Sequence, residues 1–304
     1  MYTILGATGN IGSVIARTLL EKGEKVRVFG RSVDKLKMFA DKGAEAHVGD
    51  ITDAKAVTKS LTGVRAAFLL VPPDMQSKDY RAHQSEVVDA LTTAVKNSGL
   101  QYAVNLSSIG GQAPSGTGPI AGLHECESRL NGIEKLNVLH LRAAYFMENE
   151  LRAVPMIQGM GIYGGAIKAD LKLPVIATRD IGAYAANRLL KLEFSGKQTQ
   201  ELLGERDLTM SEVATALGAA IGKPDLKYTE FGYEQVQQAL LQMGLSEKTA
   251  ALFVEMFRGF NEHTAVGLEK RSPENTTPTS IEVFAREVFA PAYSGKAAAS
   301  GAAR

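Results

Sequence analysis

The chain has a single cysteine, Cys126, so it cannot form an internal disulfide. It carries no excess of either charge: 34 Lys and Arg against 33 Asp and Glu give a formal net charge of +1. Nothing global therefore points to direct contact with nucleic acid or another polyanion. No apolar run approaches the roughly 20 residues that span a bilayer, so no membrane association is expected. His47, His83, His124, His140 and His263 show no metal-ligand spacing with the cysteine or with paired carboxylates, so no metal is expected. There is no G-x-S-x-G elbow. A strand-like segment beginning at Tyr2 leaves no room for a leader. With the lone cysteine, this predicts a cytoplasmic protein.

What is present is ordinary globular composition, 45% hydrophobic and 22% charged over 304 residues. That length suits one large α/β unit with a smaller lobe. Short apolar segments at 2–5, 25–29, 44–48, 66–71, 101–106 and 137–142 read as strands. Helical patterns lie between them: Ile11, Ile15 and Leu19 share one face, and others cover about 32–42, 53–61, 80–98 and 123–131. Strands alternating with helices at this spacing predict a doubly wound parallel sheet. Residues 110–122, rich in Gly, Pro and Ser, read as a functional loop. Beyond 150 the alternation weakens. Residues 151–293 are expected to form a smaller, mainly helical lobe, with about 174–204 returning to the sheet. Helices are expected at about 180–190, at 209–221 and over most of 232–263. The low-complexity stretch 294–304 is expected to be a disordered tail.

The segment GATGNIG places Gly6, Gly9 and Gly12 between the first strand and the first helix. In that position Gly6 allows a tight turn and Gly9 lets a pyrophosphate approach the backbone. Gly12 permits close packing of helix on strand. The phosphates would rest on free N–H groups at the helix N-terminus, with Thr8, Asn10 and Ile11 supplying contacts. The spacing is GxxGxxG rather than GxGxxG, so it is the strand–turn–helix context that makes the match. Residues 1–150 thus read as an NAD(P)-binding Rossmann domain. No carboxylate follows the second strand to take a ribose 2′-hydroxyl. Arg31 stands there instead, with Ser32 and Lys35 nearby, and a guanidinium suits a 2′-phosphate. The cofactor is therefore expected to be NADP(H). Asp50 and Ile51 follow the third strand. They either edge the adenine or, in the case of Asp50, cap the next turn. Leu70 and Val71, closing the fourth strand, are also assigned to the cofactor.

With these residues placed, the chain resembles the NmrA-like group of atypical short-chain dehydrogenase/reductases. The likeness rests on GATGNIG, Arg31-Ser32, Gly49-Asp50-Ile51, Ser107-Ser108 and Leu141-Arg142 with Phe146 and Asn149. It continues in Ala177-Thr178-Arg179-Asp180-Ile181-Gly182 and in the segment from Leu203 to Gly222. It implies an NADP(H)-preferring domain with a small lobe closing over a cleft. It also implies a cofactor contact at Ser107 and a substrate cleft lined by Ser108, Tyr145, Phe146 and Asn149. Ser107 and Ser108 end the fifth strand, where ordinary short-chain reductases hold a substrate-orienting serine; the plainer alternative is strand-end hydrogen bonding.

Ordinary short-chain reductases carry Tyr and Lys four residues apart on the helix after the fifth strand. No Tyr in this chain has a Lys four residues later. The corresponding helix reads Leu123-His124-Glu125-Cys126-Glu127-Ser128, which puts His124 near the Tyr place. His124 is the candidate proton donor. The plainer alternative is a helix-start histidine bonded to the backbone. Cys126 is either a redox thiol or, as a lone cysteine more often is, a small buried hydrophobe. The leading expectation is an NADP(H)-dependent oxidoreductase reducing a small quinone or carbonyl compound by hydride transfer. The missing Tyr/Lys pair motivates the alternative, a non-catalytic NADP(H) sensor acting on a protein partner.

Overall fold

In the computed structural model, which describes residues 1–296, the central layer is a seven-stranded sheet. Its strands are β1 (Tyr2–Leu5), β2 (Val26–Gly30), β3 (Glu45–Val48), β4 (Ala66–Leu69), β5 (Tyr102–Ser108), β6 (Asn137–Ala143) and one late strand, Lys197–Leu202. They lie in the order β3-β2-β1-β4-β5-β6 with the late strand outermost, and every neighbouring pair is parallel. All four residues of β1 are buried, as a central strand covered on both faces requires. The chain winds outward to β3, then crosses back to β4. This puts a crevice at the carboxyl ends of β1 and β4, where such sheets bind ligands.

The helices α1 (Asn10–Glu21), α2 (Val33–Ala40), α3 (Ala54–Leu61), α4 (Tyr80–Ser98) and α5 (Ile120–Asn131) connect these strands. Ile11, Ile15 and Leu19 of α1 are buried together against the sheet. β4 ends at Leu69, two residues before the expected Val71. Pro72 and Pro73 carry no N–H, and the chain leaves the ladder ahead of them. β5 runs on to Ser108 because β6 pairs with it as far as Ala143. α5 opens at Ile120 rather than at 123, with Pro119 before it.

Beyond β6 the elements are short. β7 (Tyr145–Phe146) leads through a 3-10 segment, Met147–Ala153, into α6 (Val154–Met160), and β8 (Tyr163–Gly165) and β9 (Leu173–Ile176) follow. α7 (Thr178–Lys191) packs on α1, and β10 (Lys197–Leu202) is the late strand of the main sheet. β11 (Asp207–Leu208) joins β9 and β7 in a three-stranded sheet. α8 (Met210–Ala220) is opened by a full capping box, Thr209 with Glu212. β12 (Tyr228–Glu230) pairs with β8, and α9 (Tyr233–Gln242) and α10 (Glu247–Asn261) follow. A last helical run was not anticipated: α11 (Ile281–Phe284), a π turn at Ala285–Phe289 and α12 (Ala290–Tyr293). Phe284 and Phe289 anchor it in a second core with Leu217 and Met210. Of the expected tail, residues 297–304 lie outside the described residues. Among the described residues no helix is long and apolar enough to cross a membrane.

Candidate functional site

The glycine loop lies at the carboxyl end of β1. Gly6 has φ +64°, and a β-carbon on it would stand 3.0 Å from the side chain of Leu70. Leu70, leaving β4, thus walls the same crevice. Gly9 precedes α1 in an extended conformation, and no side chain caps the helix. No acidic residue occupies the first turn. The N–H groups that Asn10 and Ile11 bring to this end are therefore open to an anion, and Thr8 is half-buried beside them. A pyrophosphate fits this cradle on both shape and charge.

At the end of β2, Arg31 is exposed. Ser32 caps α2 by accepting from the Lys35 backbone N–H at 3.3 Å, which leaves its own O–H free to donate. Lys35 is exposed one turn on. Asp50 accepts from the Thr52 backbone N–H at 2.9 Å and from the Thr52 hydroxyl at 2.8 Å. The Thr52 backbone bond is the main reason its carboxyl sits below the usual range. The charges of Arg31 and His83 act in the same direction. α3 is capped by Asp53 instead. Ile51 packs half-buried on the core beneath α3 and α4, and Val71 is buried there too.

At the end of β5 the two serines differ. Ser107 is buried, and its hydroxyl has no hydrogen-bond partner in the described residues. Ser108 donates to the Ile109 carbonyl at 2.9 Å. A turn follows through Gly110 and Gly111, and the Gly111 carbonyl lies 2.9 Å from Nδ1 of His124. Because α5 begins at Ile120, His124 stands in its second turn and not at the helix start.

Beneath this surface, α5 rests on polar side chains that the sequence does not reveal. Glu127 is buried and grips Arg142 of β6 through two bonds, 3.0 and 2.6 Å. Arg142 stands directly across the ladder from Ser107. Deeper, His140 bonds Asn105 and Asn131, both at 3.0 Å, and burial lowers its pKa to about 4. Cys126 is buried against Asn105, and burial raises its thiol to about 12. A thiol so held is a packed side chain and not a redox group.

Past β6 the expected cleft residues part company. Tyr145 meets Phe260 edge to face, with ring centroids 6.2 Å apart, in the second core. Phe146 packs on the main core, and Asn149 is half-buried in the 3-10 segment. Glu150, also buried there, accepts a 2.5 Å bond from the Tyr163 hydroxyl, and burial raises its carboxyl to about 7.

The Arg179-Asp180-Ile181-Gly182 segment opens α7 and holds three parts together. Glu148 accepts from the Thr178 N–H and hydroxyl, Asp180 accepts from the Thr279 N–H and hydroxyl, and Gly182 lets α7 meet α1. A β-carbon on Gly182 would stand 2.7 Å from Val14.

α10 spans the loops that leave β4 and β5. Phe253 meets Tyr80 edge to face at 5.7 Å, Lys248 pairs with Asp79 at 2.7 Å, and Gly118 lies tight under Leu252 and Met256. Sequence reasoning placed helices here but could not place them on these loops.

A family model described as NAD(P)H-binding matches residues 6–126. An NAD(P)H azoreductase of Xenophilus azovorans is 29% identical over 261 residues, 84% of this chain and 86% of that one. A (4-alkanoyl-5-oxo-2,5-dihydrofuran-3-yl)methyl phosphate reductase of Streptomyces griseus is 25% identical, with 79% of this chain and 80% of that one covered. Among solved structures, an NADPH-dependent quinone oxidoreductase of Escherichia coli complexed with NADPH superposes with a TM-score of 0.78. It is 22% identical, and the match covers 95% of this chain and 100% of that one. A triphenylmethane reductase of a Citrobacter species, complexed with NADP(H), gives 0.75 at 18% identity, covering 93% and 98%.

Sheet order, glycine cradle and family match together define an NAD(P)H-binding Rossmann protein. Over most of its length the chain is similar to proteins named as reductases, and its fold is that of the NADPH-dependent quinone oxidoreductase.

Proposed function

We propose that this chain is an NADP(H)-dependent oxidoreductase that reduces a small quinone or related carbonyl compound. The observation that carries the reading is the buried, unpartnered hydroxyl of Ser107, set at the end of β5 beside the turn that bonds His124. A buried hydroxyl without a partner costs free energy, and an acceptor oxygen seated there would remove that cost. The relatives named as reductases support the same class of reaction.

The cofactor, when bound, supplies a hydride from its nicotinamide ring. The backbone N–H groups at the start of α1 hold its pyrophosphate, and Arg31, Ser32 and Lys35 hold the 2′-phosphate. Ser107 donates to the acceptor oxygen and orients it. His124 delivers the proton that balances the hydride, doing the work that a Tyr/Lys pair does elsewhere. Quinones accept hydride readily, so the reaction is less dependent on the missing Tyr/Lys pair. α10, packed on the loops that leave β4 and β5, would restrict access of water to the crevice. The buried thiol and the absence of disulfides suit a reducing, cytoplasmic setting.

The test is loss of NADPH absorbance with a panel of quinones, aldehydes and azo dyes. Steady oxidation with at least one quinone is expected. Failure with every acceptor, while NADPH still binds, would leave a cofactor-binding protein without chemistry.

A further inference from the structure

We infer that the Gly111 carbonyl fixes His124 in the tautomer that keeps its proton on Nδ1, so that Nε2 is the atom that exchanges a proton with the acceptor, and that Glu127 and Arg142 are positioning residues for this arrangement. The inference rests on the reading of His124 as proton donor.

A carbonyl oxygen can only accept, so the 2.9 Å contact requires a hydrogen on Nδ1. In the neutral ring the lone pair then belongs to Nε2, and in the imidazolium Nε2 carries the second hydrogen. Among the described residues Nε2 has no hydrogen-bond partner. The ring is half-buried, so this nitrogen can reach both a bound acceptor and, between turnovers, solvent.

The carbonyl can enforce this only if the turn that carries it is rigid, and the turn is closed from every side. The Gly111 N–H donates to Ser108 at 2.9 Å, and the Gly110 N–H donates to Val266 at 3.2 Å. Gln112 donates to the same Val266 carbonyl at 2.9 Å. Gly110 has φ +82°, and a β-carbon on it would stand 3.0 Å from Ala265. A β-carbon on Gly111 would meet the Ser108 carbonyl at 2.9 Å, the Ser107 hydroxyl at 3.0 Å and the Glu127 carboxylate at 3.1 Å. Glu127 follows His124 by three residues, so the two share one side of α5. Its double bond to Arg142 ties that side of the helix to β6, across from Ser107. Helix, strand end and turn are thus locked together around the imidazole.

The proton count closes without any tautomer change. The acceptor takes a hydride from the cofactor and a proton from Nε2–H, gaining two electrons and leaving as the reduced alcohol or hydroquinone. The N–H bond at Nε2 breaks, its electron pair stays on the ring, and the ring is neutral with Nδ1 still protonated. Solvent then returns a proton to Nε2.

Long-range proton–nitrogen correlation spectra of the full-length, histidine-labelled protein with NADP+ bound read the tautomer directly. Once neutral, His124 should show a protonated Nδ1 and a bare Nε2, its signals identified by their loss in His124→Asn. A protonated Nε2, or an averaged mixture, would overturn the inference even in an active enzyme. The two isosteric amides give a second readout. The amide of His124→Asn can stand at Nδ1 and keep the Gly111 bond, whereas that of His124→Gln stands at Nε2 and loses it. Both should lower kcat by about a hundredfold or more. Only the Asn variant should keep the wild-type melting temperature, and equal melting of the two variants would count against the bond. For the positioning pair, the uncharged double variant Glu127→Gln/Arg142→Gln keeps hydrogen-bonding shape without leaving a lone buried charge. It should mix the tautomers and lower kcat about tenfold with the acceptor KM unchanged. A wild-type spectrum and wild-type kcat would remove the pair from this role. An Nδ1–H tautomer in a protein that reduces no acceptor would uphold the geometry and sink the reductase reading alone.

Discussion

A β-carbon on Gly12 would stand 2.3 Å from the carbonyl oxygen of Gly6, whereas one on Gly9 would meet only that same oxygen at an ordinary 3.4 Å. Two glycines of one loop therefore do different work. Gly12 is needed for α1 to lie on the strand end, and Gly9 has room for a side chain except where a phosphate would go. Gly12→Ala should destabilise the fold by about 1–3 kcal/mol, as overpacking does. Gly9→Val should melt close to the wild type and lose NADPH binding. Calorimetry that found binding retained in a folded Gly9→Val protein would place the phosphates elsewhere.

Arg31 makes no ion pair in the described residues, and the Asp50 carboxylate near it is already occupied by Thr52. Its guanidinium is free to take a 2′-phosphate. NADPH should bind at least about tenfold more tightly than NADH, a difference of about 1.4 kcal/mol. Arg31→Ala should erase most of that gap and leave NADH affinity nearly unchanged. Equal affinity of the wild type for the two cofactors, by titration, would refute the assignment.

The glycine loop between β1 and α1 was legible because a change of local pattern marks it. Hydrophobic periodicity changes from strand to helix at the three glycines of GATGNIG, and Arg31 stands where an acid would otherwise be. The chemistry at the end of β5 was less legible because its partners are distant in sequence. Gln112 and Val266 are 154 positions apart, and Glu127 and Arg142 form a buried pair with no periodic signature. Two-residue strands such as β7 and β11 carry no measurable alternation, so although residues 174–177 read as a strand, the partners of β9 in the second sheet could not be read. The same holds for Asp180 and Thr279, which meet only because α7 and the segment before α11 pack together.

Cys126 is buried against Asn105, and burial pushes its thiol up to about 12. Neither thiolate character nor access favours reaction. A disulfide reagent should label the native protein far more slowly than the urea-unfolded chain, and Cys126→Ala should retain full turnover. Fast native labelling, or activity lost with the thiol in a folded variant, would reopen a redox role.

Two buried groups should make stability depend on pH in opposite directions. Burial raises the Glu150 carboxyl from 4.5 to about 7. A folded pKa above the unfolded one means that its contribution is full below about pH 4.5 and is lost as pH rises through about 7. Burial lowers His140 from 6.5 to about 4. Its contribution is full above about pH 6.5 and is lost as pH falls through about 4. Between roughly pH 4.5 and 6.5 the two slopes oppose one another, each worth up to about 1.4 kcal/mol per pH unit. The wild type should therefore show a flat stability profile in that window and a decline from about 6.5 to 7, where only Glu150 still titrates. Glu150→Gln keeps an acceptor for the Tyr163 hydroxyl but cannot ionise. It should unmask the His140 slope, so that stability rises with pH across the same window and the decline near neutrality disappears. Urea titrations of both proteins at several pH values measure this. Parallel profiles for wild type and Glu150→Gln would show that Glu150 does not change its proton occupancy on folding, and that its burial beside Tyr145 and Tyr163 is matched by hydrogen bonds to the ionised form.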